Sequence, residues 1–260
     1  MVDAGSPPGA GPLLVIDGVT PQLGITLGRP GEAFLHRRAA TSGSSAETLV
    51  PRIADMLAEA GVAPAALGGI ACVRGPGSFT GIRVALATVL GLSRGCGVPM
   101  AGLDYLPLLA ATAARQATGV VVAITYARTG QVYLQTFLAD GEPLPMGPPV
   151  ALTVAAAAVA VADAAAVGPL WLVGEGAQRS RDAFLAAASL ATILGPETHD
   201  PAPEILLAAA ARARYSHTPI EPLYLRPCDA EENLAAFAAL RGLSPSEAEA
   251  RVRDATSTLA

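Results

Sequence analysis

The chain has 260 residues, 52% of them apolar and 4% aromatic, with a formal charge of -5. That length fits one large domain or two small ones, and the apolar share supports a sizeable core of small residues. All 17 basic residues are arginine. Without lysine, Schiff-base chemistry and a phosphate-loop lysine are excluded, and the acidic balance argues against a chain that grips nucleic acid unaided.

Residues 1–12 are rich in glycine and proline and lack a basic run. They are expected to form a flexible leader rather than a signal peptide. Leu13–Ile16 predicts a buried strand, Gly18–Pro21 a turn, Gly24–Leu27 a second strand and Glu32–Ala39 a third. Leu49, Ile53, Met56, Leu57 and Ala60 recur at helical spacing and predict a helix over Glu47–Gly61, stopped by its glycine. A strand follows over Leu67–Val73, then the glycine-rich loop Gly75–Gly81 and a second helix over Thr80–Gly95.

The rhythm restarts near Leu103. A helix is predicted over Tyr105–Arg115, strands over Val120–Tyr126 and Val132–Leu138, and a proline-rich loop over Pro143–Pro149. An alanine helix over Val154–Ala166 is too short and too weakly hydrophobic to predict a membrane span. The strand Leu170–Val173 runs into Gly174-Glu175-Gly176-Ala177, which opens a helix that includes Ala183–Ala188. Another helix is predicted over Pro203–Ser216, then an extended segment over Leu223–Arg226. The charged tail, residues 229–260, reads as helical or mobile. Leu234, Phe237 and Leu240 stand at helical spacing in it, and Ser244 to Glu247 resembles a helix start.

This alternation predicts an α/β fold. Residues 13–103, joined by about 203–228, would form a first, discontinuous lobe, and residues 104–202 a second. Cys72, Cys96 and Cys228 are widely spaced and suggest neither a disulfide framework nor a metal site, which fits a reducing cytoplasm.

Three segments carry a family resemblance. The run Val73-Arg74-Gly75-Pro76-Gly77-Ser78-Phe79-Thr80-Gly81-Ile82-Arg83 lies after a strand and opens a small-residue helix. It resembles the signature of the TsaB (YeaZ) family of tRNA threonylcarbamoyladenosine biosynthesis subunits. Val15-Ile16-Asp17 resembles that family's first strand, and Glu221-Pro222-Leu223-Tyr224-Leu225-Arg226 its closing P-x-Y-L-R. The correspondence spans most of residues 13–228. Three positions depart from the family pattern. Gly18 follows the first aspartate in place of Thr-Ser, Ser45-Ala46-Glu47 lacks the histidine of His-Ser-Glu, and Tyr126 replaces an aspartate before Ala127-Arg128.

The resemblance implies a degenerate, two-lobed actin-like fold of the ribonuclease-H-like kind. It implies a non-catalytic scaffold subunit that activates a TsaD-like catalytic subunit, with a TsaE-like ATPase docking on the pair. The complex would transfer threonylcarbamoyl to N6 of adenosine 37 in tRNA. ATP and metal would sit on the partners, and tRNA would be met through the complex. In the family the first two helices form a four-helix bundle with the partner or a second copy. By that analogy Leu49, Ile53, Leu57, Ile82, Leu86, Val89 and Leu90 are the expected interface.

Other readings stand beside these. Gly75, Pro76, Gly77, Ser78, Thr80 and Gly81 read chiefly as a tight turn and helix cap, and alternatively as a phosphate cradle. Asp17 reads as a turn aspartate or, with Gly174 and Gly176, as a vestigial nucleotide site. No two of His36, His199 and His217 stand four residues apart, so the paired histidines of an M22 peptidase are missing. The alternative function is a stand-alone actin-like ATP-dependent transferase or kinase, or an M22-type peptidase.

Overall fold

The computed structural model describes residues 5–40 and 45–226, with the single positions 238, 244, 247 and 250 beyond them. Contacts divide the chain into a unit Met1–Leu225 and a unit Arg226–Ala260.

The first unit begins with a meander. Leu13–Asp17 (β1) pairs antiparallel with Gln22–Gly28 (β2), and Leu35–Ala40 (β3) pairs antiparallel with β2. Helix Ser45–Glu59 (α1) leads to Gly69–Val73 (β4), parallel to β1. Helix Phe79–Cys96 (α2) leads to Met100–Leu103 (β5), parallel to β4. The strand order is β3-β2-β1-β4-β5. Helix Tyr105–Ala113 (α3) then crosses to a second sheet.

That sheet repeats the plan. Gly119–Arg128 (β6) and Gln131–Ala139 (β7) form the antiparallel hairpin, and the short strands Leu144–Pro145 (β8) and Val150–Thr153 (β9) both pair with β7. Helix Val154–Ala165 (α4) leads to Leu170–Val173 (β10), parallel to β6. Helices Glu175–Arg179 (α5) and Arg181–Ala187 (α6) lead to Thr192–Ile193 (β11), parallel to β10. Helix Pro203–Arg212 (α7) closes the series. The architecture is the two-sheet α/β fold expected from the resemblance.

Both faces of each sheet are buried, so its strands read as continuous apolar runs. In β1, Leu13 and Val15 point to one core while Leu14 and Ile16 point to another. The central core lies between the sheets and takes in Leu106 and Leu109 of α3 and Leu206 and Leu207 of α7. A second core packs α1 and α2 on the outer face of the first sheet. A third packs Val161 of α4 and Phe184 of α6 on the outer face of the second sheet.

Several boundaries differ from the sequence expectation. β5, β9 and β11 are short and flanked by Gly, Pro or Ala, so no alternation marks them. α7 stops at Arg212 instead of Ser216, because the following residues become extended. Ser216 bridges Met100 on the outer edge of β5, and Tyr215 bridges Ser6. From residue 5 on, the segment expected to be a flexible leader is tied down. Ser6 N donates to Tyr215 O at 2.9 Å and Gly9 N to Gly68 O at 2.7 Å. Its glycines serve close backbone packing here, since a Cβ at Gly11 would overlap the Ala66 carbonyl oxygen.

In the second unit, Ser244 Oγ accepts from Glu247 N at 3.3 Å and Ser244 N donates to Glu247 Oε2 at 2.8 Å. This is a reciprocal capping box, at the position where the sequence predicts a helix start. Leu234, Phe237 and Leu240 lie outside the described residues. Among the described residues no helix is long and apolar enough to cross a membrane.

Candidate functional site

The glycine loop between β4 and α2 is held on two sides by backbone. Gly75 has φ of +117°, a conformation that glycine adopts without strain, and its carbonyl accepts from Tyr105 N at 2.8 Å. Ser78 N donates to Val19 O at 2.8 Å, and a Cβ at Gly77 would run into the Val19 side chain. Gly81 and Gly18 interlock, because a Cβ on either would overlap the carbonyl oxygen of the other. Ser78 Oγ accepts from Gly81 N at 3.2 Å and caps α2, while Pro76 and Thr80 complete the turn into the helix. The β1–β2 turn therefore packs directly against the glycine loop. Gly18, one of the departures from the family pattern, is what permits this contact.

The two ends of the family pattern meet at this loop. Leu223 N donates to Arg74 O at 2.8 Å, and Arg74 Nη1 donates to Glu221 O at 3.4 Å. Arg74 Nε pairs with Asp104 Oδ1 at 2.7 Å. Tyr224 stacks beside Phe79, with ring centroids 5.2 Å apart, and Arg83 lies over the Phe79 ring at 3.7 Å. Sequence reasoning treated these segments separately; nothing in their spacing announces the contact.

Helices α1 and α2 do not present the expected residues outward. Leu49, Ile53, Leu57, Ile82 and Val89 are 4% exposed or less and are spent in the chain's own core. Leu86 and Leu90 are half-buried against that core. The apolar period that suggested an interface is the face turned to the sheet, the ordinary fate of an amphipathic helix. The outward face of α2 carries Thr80, Arg83, Ala87, Gly91 and Gly95 at steps of three or four residues. Open space surrounds Gly91 and Gly95, and α1, which packs against α2, exposes Val50 at 48%.

A polar cluster lies under the C-terminal end of β1. Asp17 is 1% exposed, and its Oδ1 accepts from Val19 N at 2.9 Å. Among the described residues its Oδ2 has no hydrogen-bond partner. Asp17 pairs in register with Gly24 and Gly24 with Arg38, so the row between the two charges lacks a side chain. The Arg38 guanidinium reaches Asp200 Oδ1 at 2.8 Å and Thr20 Oγ1 at 3.2 Å. The Tyr105 hydroxyl donates to His199 O at 3.2 Å and to Asp200 Oδ1 at 3.3 Å. Burial pushes the Asp17 carboxyl up to about 6, against the pull of Arg38 and the Val19 N–H. Burial, then the neighbouring Asp17 and Asp200, raises the Tyr105 phenol well above its ordinary value, so it remains a donor. His36 bonds Thr26 Oγ1 through Nδ1 at 2.9 Å, and burial, then Arg38, lowers its pKa. Sequence reasoning found Asp17 but missed Arg38, Asp200 and Tyr105, which come from three other parts of the chain.

Gly174 and Gly176 are not joined to that cluster by any described hydrogen bond. Gly174 has φ of +100°, and a Cβ at either position would crowd the backbone of Ile124 or Thr125 in β6. The glycines let α5 sit flush on the sheet. Nearby, Arg179 lies over the Tyr126 ring at 4.4 Å and pairs with Glu175 at 2.6 Å. Among the described residues no group of three His, Cys, Asp or Glu is arranged to hold a metal ion.

A family model described as TsaD: tRNA N6-adenosine threonylcarbamoyltransferase matches residues 39–167. The TsaB protein of Escherichia coli, a tRNA threonylcarbamoyladenosine biosynthesis protein, is 32% identical over 130 residues, 49% of this chain and 55% of its own. That of Bacillus subtilis is 30% identical over 121 residues, 46% of this chain and 52% of its own. The solved structure of YeaZ from Pseudomonas aeruginosa superposes with a TM-score of 0.67 at 27% identity, over 83% of this chain and 100% of that one. The chain is thus similar to the TsaB (YeaZ) family over most of its length. It spans about half the length of the curated TsaB relatives it matches. The glycine loop and α1 and α2 lie within the residues that the family model covers. The closing Tyr224 segment lies outside them.

Proposed function

We propose that this chain is an assembly subunit in tRNA threonylcarbamoyladenosine biosynthesis. It binds a TsaD-like catalytic subunit through the outward face of α1 and α2 and holds that subunit in its active conformation. A TsaE-like ATPase docks on the pair, and tRNA is contacted through the complex. The observation that carries this reading is the exposed face Ala87-Gly91-Gly95, with open space around both glycines, together with exposed Val50 on the helix packed against α2. Small residues on one helix face let a second helix approach closely, and an exposed apolar residue on the neighbouring helix favours cover. The interface therefore runs over these residues, with Leu86 and Leu90 at its margin, and not over the stripe buried in the core. When the partner is absent, a second copy of the chain covers the same face.

The interior supports a scaffold rather than an enzyme. A metal-bound nucleotide does not fit beside Asp17. The carboxyl is enclosed, Arg38 already supplies the cation, and Val19 packs against Gly77 of the glycine loop. Gly174 and Gly176 serve helix packing. ATP and metal then belong to the partner subunits.

Reconstitution tests the reading. Threonylcarbamoylation of tRNA is measured with the TsaD-like, TsaE-like and synthase proteins of the same organism, with and without this chain. The expected outcome is modification that requires the chain, while the chain alone hydrolyses no ATP. Full modification in its absence would overturn the proposal.

A further inference from the structure

Phe79 opens α2, and Arg83 stands one turn later on the same face. Tyr224 arrives from a segment more than a hundred residues away. The Arg83 guanidinium lies 3.7 Å from the centroid of Phe79 and 5.9 Å from that of Tyr224. Its Nε donates to Tyr224 Oη at 3.0 Å. Phe79 and Tyr224 are 37% and 38% exposed. The guanidinium is thus fixed in plane and position at the surface. Among the described residues its two terminal nitrogens have no hydrogen-bond or ion-pair partner, whereas Arg37, Arg38, Arg74, Arg115 and Arg179 each hold a carboxylate.

A guanidinium held flat with both terminal nitrogens open matches a carboxylate through two parallel hydrogen bonds. Its ordering is already complete before binding, so little freedom is lost on docking. Exposed aromatic side chains around an arginine are the composition of binding hot spots. A nucleic-acid backbone would need several cations in a row, whereas this chain carries a net charge of -5, and among the described residues Arg83 is the one arginine stacked on Phe79 and Tyr224. Arg83 is also continuous with the small-residue face, since Thr80, Arg83, Ala87 and Gly91 share one side of α2. A partner helix lying on Ala87 and Gly91 meets Arg83 at the N-terminal end of that face, where the helix dipole also favours negative charge.

We propose that Arg83, held against Phe79 and Tyr224, receives a carboxylate side chain of the catalytic partner subunit and so sets the register of the two helices. This inference rests on the assembly role proposed above.

The test titrates the full chain with the TsaD-like protein of the same organism. Arg83→Gln is expected to weaken binding by about tenfold to a hundredfold, the range for a charged hydrogen-bonded pair. Arg83→Lys recovers part of this loss, because an ammonium lacks the planar fork. Tyr224→Phe, which removes the Nε acceptor but keeps the ring, weakens binding by several-fold. The melting temperature of each variant should match the wild type, since the cluster is exposed. Wild-type binding falls with ionic strength more steeply than that of Arg83→Gln. Binding of Arg83→Gln within about twofold of wild type would overturn this inference alone. So would normal assembly of Arg83→Gln with reduced tRNA affinity of the complex, which would reassign Arg83 to a phosphate. A wild-type chain that captures no partner overturns the assembly role and this inference with it.

Discussion

At Asp17 burial and charge pull in opposite directions, and burial wins. The carboxyl sits at about 6 instead of its ordinary 3.8, so the folded chain holds this proton more tightly than the unfolded one. The stability that goes with the proton is present in full below about pH 4 and is lost as pH rises through about 6. Asp17→Asn keeps an oxygen for the Val19 N–H and has no charge to bury. Relative to that variant, the wild type should lose about 3 kcal/mol in all from well below pH 4 to well above pH 6, as the size of the shift dictates. Urea unfolding across the range measures it, and a difference independent of pH would contradict the assignment. Much of this neighbourhood was legible beforehand. Gly18 after Asp17 reads as a turn, and Ser78 before a helix reads as a cap, because both act on backbone within three residues. Arg38 and Asp200 were not legible, since their charges meet Asp17 only after three separated segments have folded.

At the scale of the element, α2 shows what periodicity can and cannot tell. Apolar residues at helical spacing locate a buried face, but the spacing is the same whether the chain's own sheet or another protein covers it. Ile82 and Val89 proved to face the sheet. The side left for a partner is marked by small residues, which carry almost no hydropathy signal. Ala87→Glu should therefore abolish capture of the TsaD-like subunit while changing stability by less than about 0.5 kcal/mol. Val89→Glu should lower stability by more than about 3 kcal/mol, because it leaves a charge uncompensated in the core. Pull-down and denaturant unfolding of both variants separate the two effects. A destabilised Ala87→Glu would place that residue in the core. The predicted extents fared best where a helix or strand is long. The short edge strands were hidden because pairing with a neighbour, not their own composition, makes them extended.

Across the molecule, two sheets of the same strand order enclose a layer made by α3 and α7. Arg38 of the first sheet and the residues that lead into α7 are joined by the Arg38–Asp200 pair, with Tyr105 of α3 on the same carboxylate. This pair is partly exposed, at 17% and 29%, so solvent screening reduces what it contributes. Arg38→Leu should lower stability by about 1 to 2 kcal/mol at neutral pH. The loss should shrink near pH 5, where Asp17 takes up its proton and no longer draws on the guanidinium. Unfolding at the two pH values decides this, and an equal loss at both would detach Arg38 from Asp17. The repeated α/β rhythm was visible in the sequence, because each half restarts with apolar runs after a glycine-proline break. The central layer was not, since α3 and α7 become neighbours only once both sheets exist.

The interlocked turns at Gly18 and Gly81 have a consequence for descent and for grafting. Each occupies with its carbonyl the place where the other's side chain would begin. Neither turn can be exchanged by itself. A loop transplanted from a relative with threonine after the first aspartate would bring its side chain onto the oxygen of Gly81. The hairpin turn and the start of α2 must therefore be inherited, or moved into a chimera, as one piece.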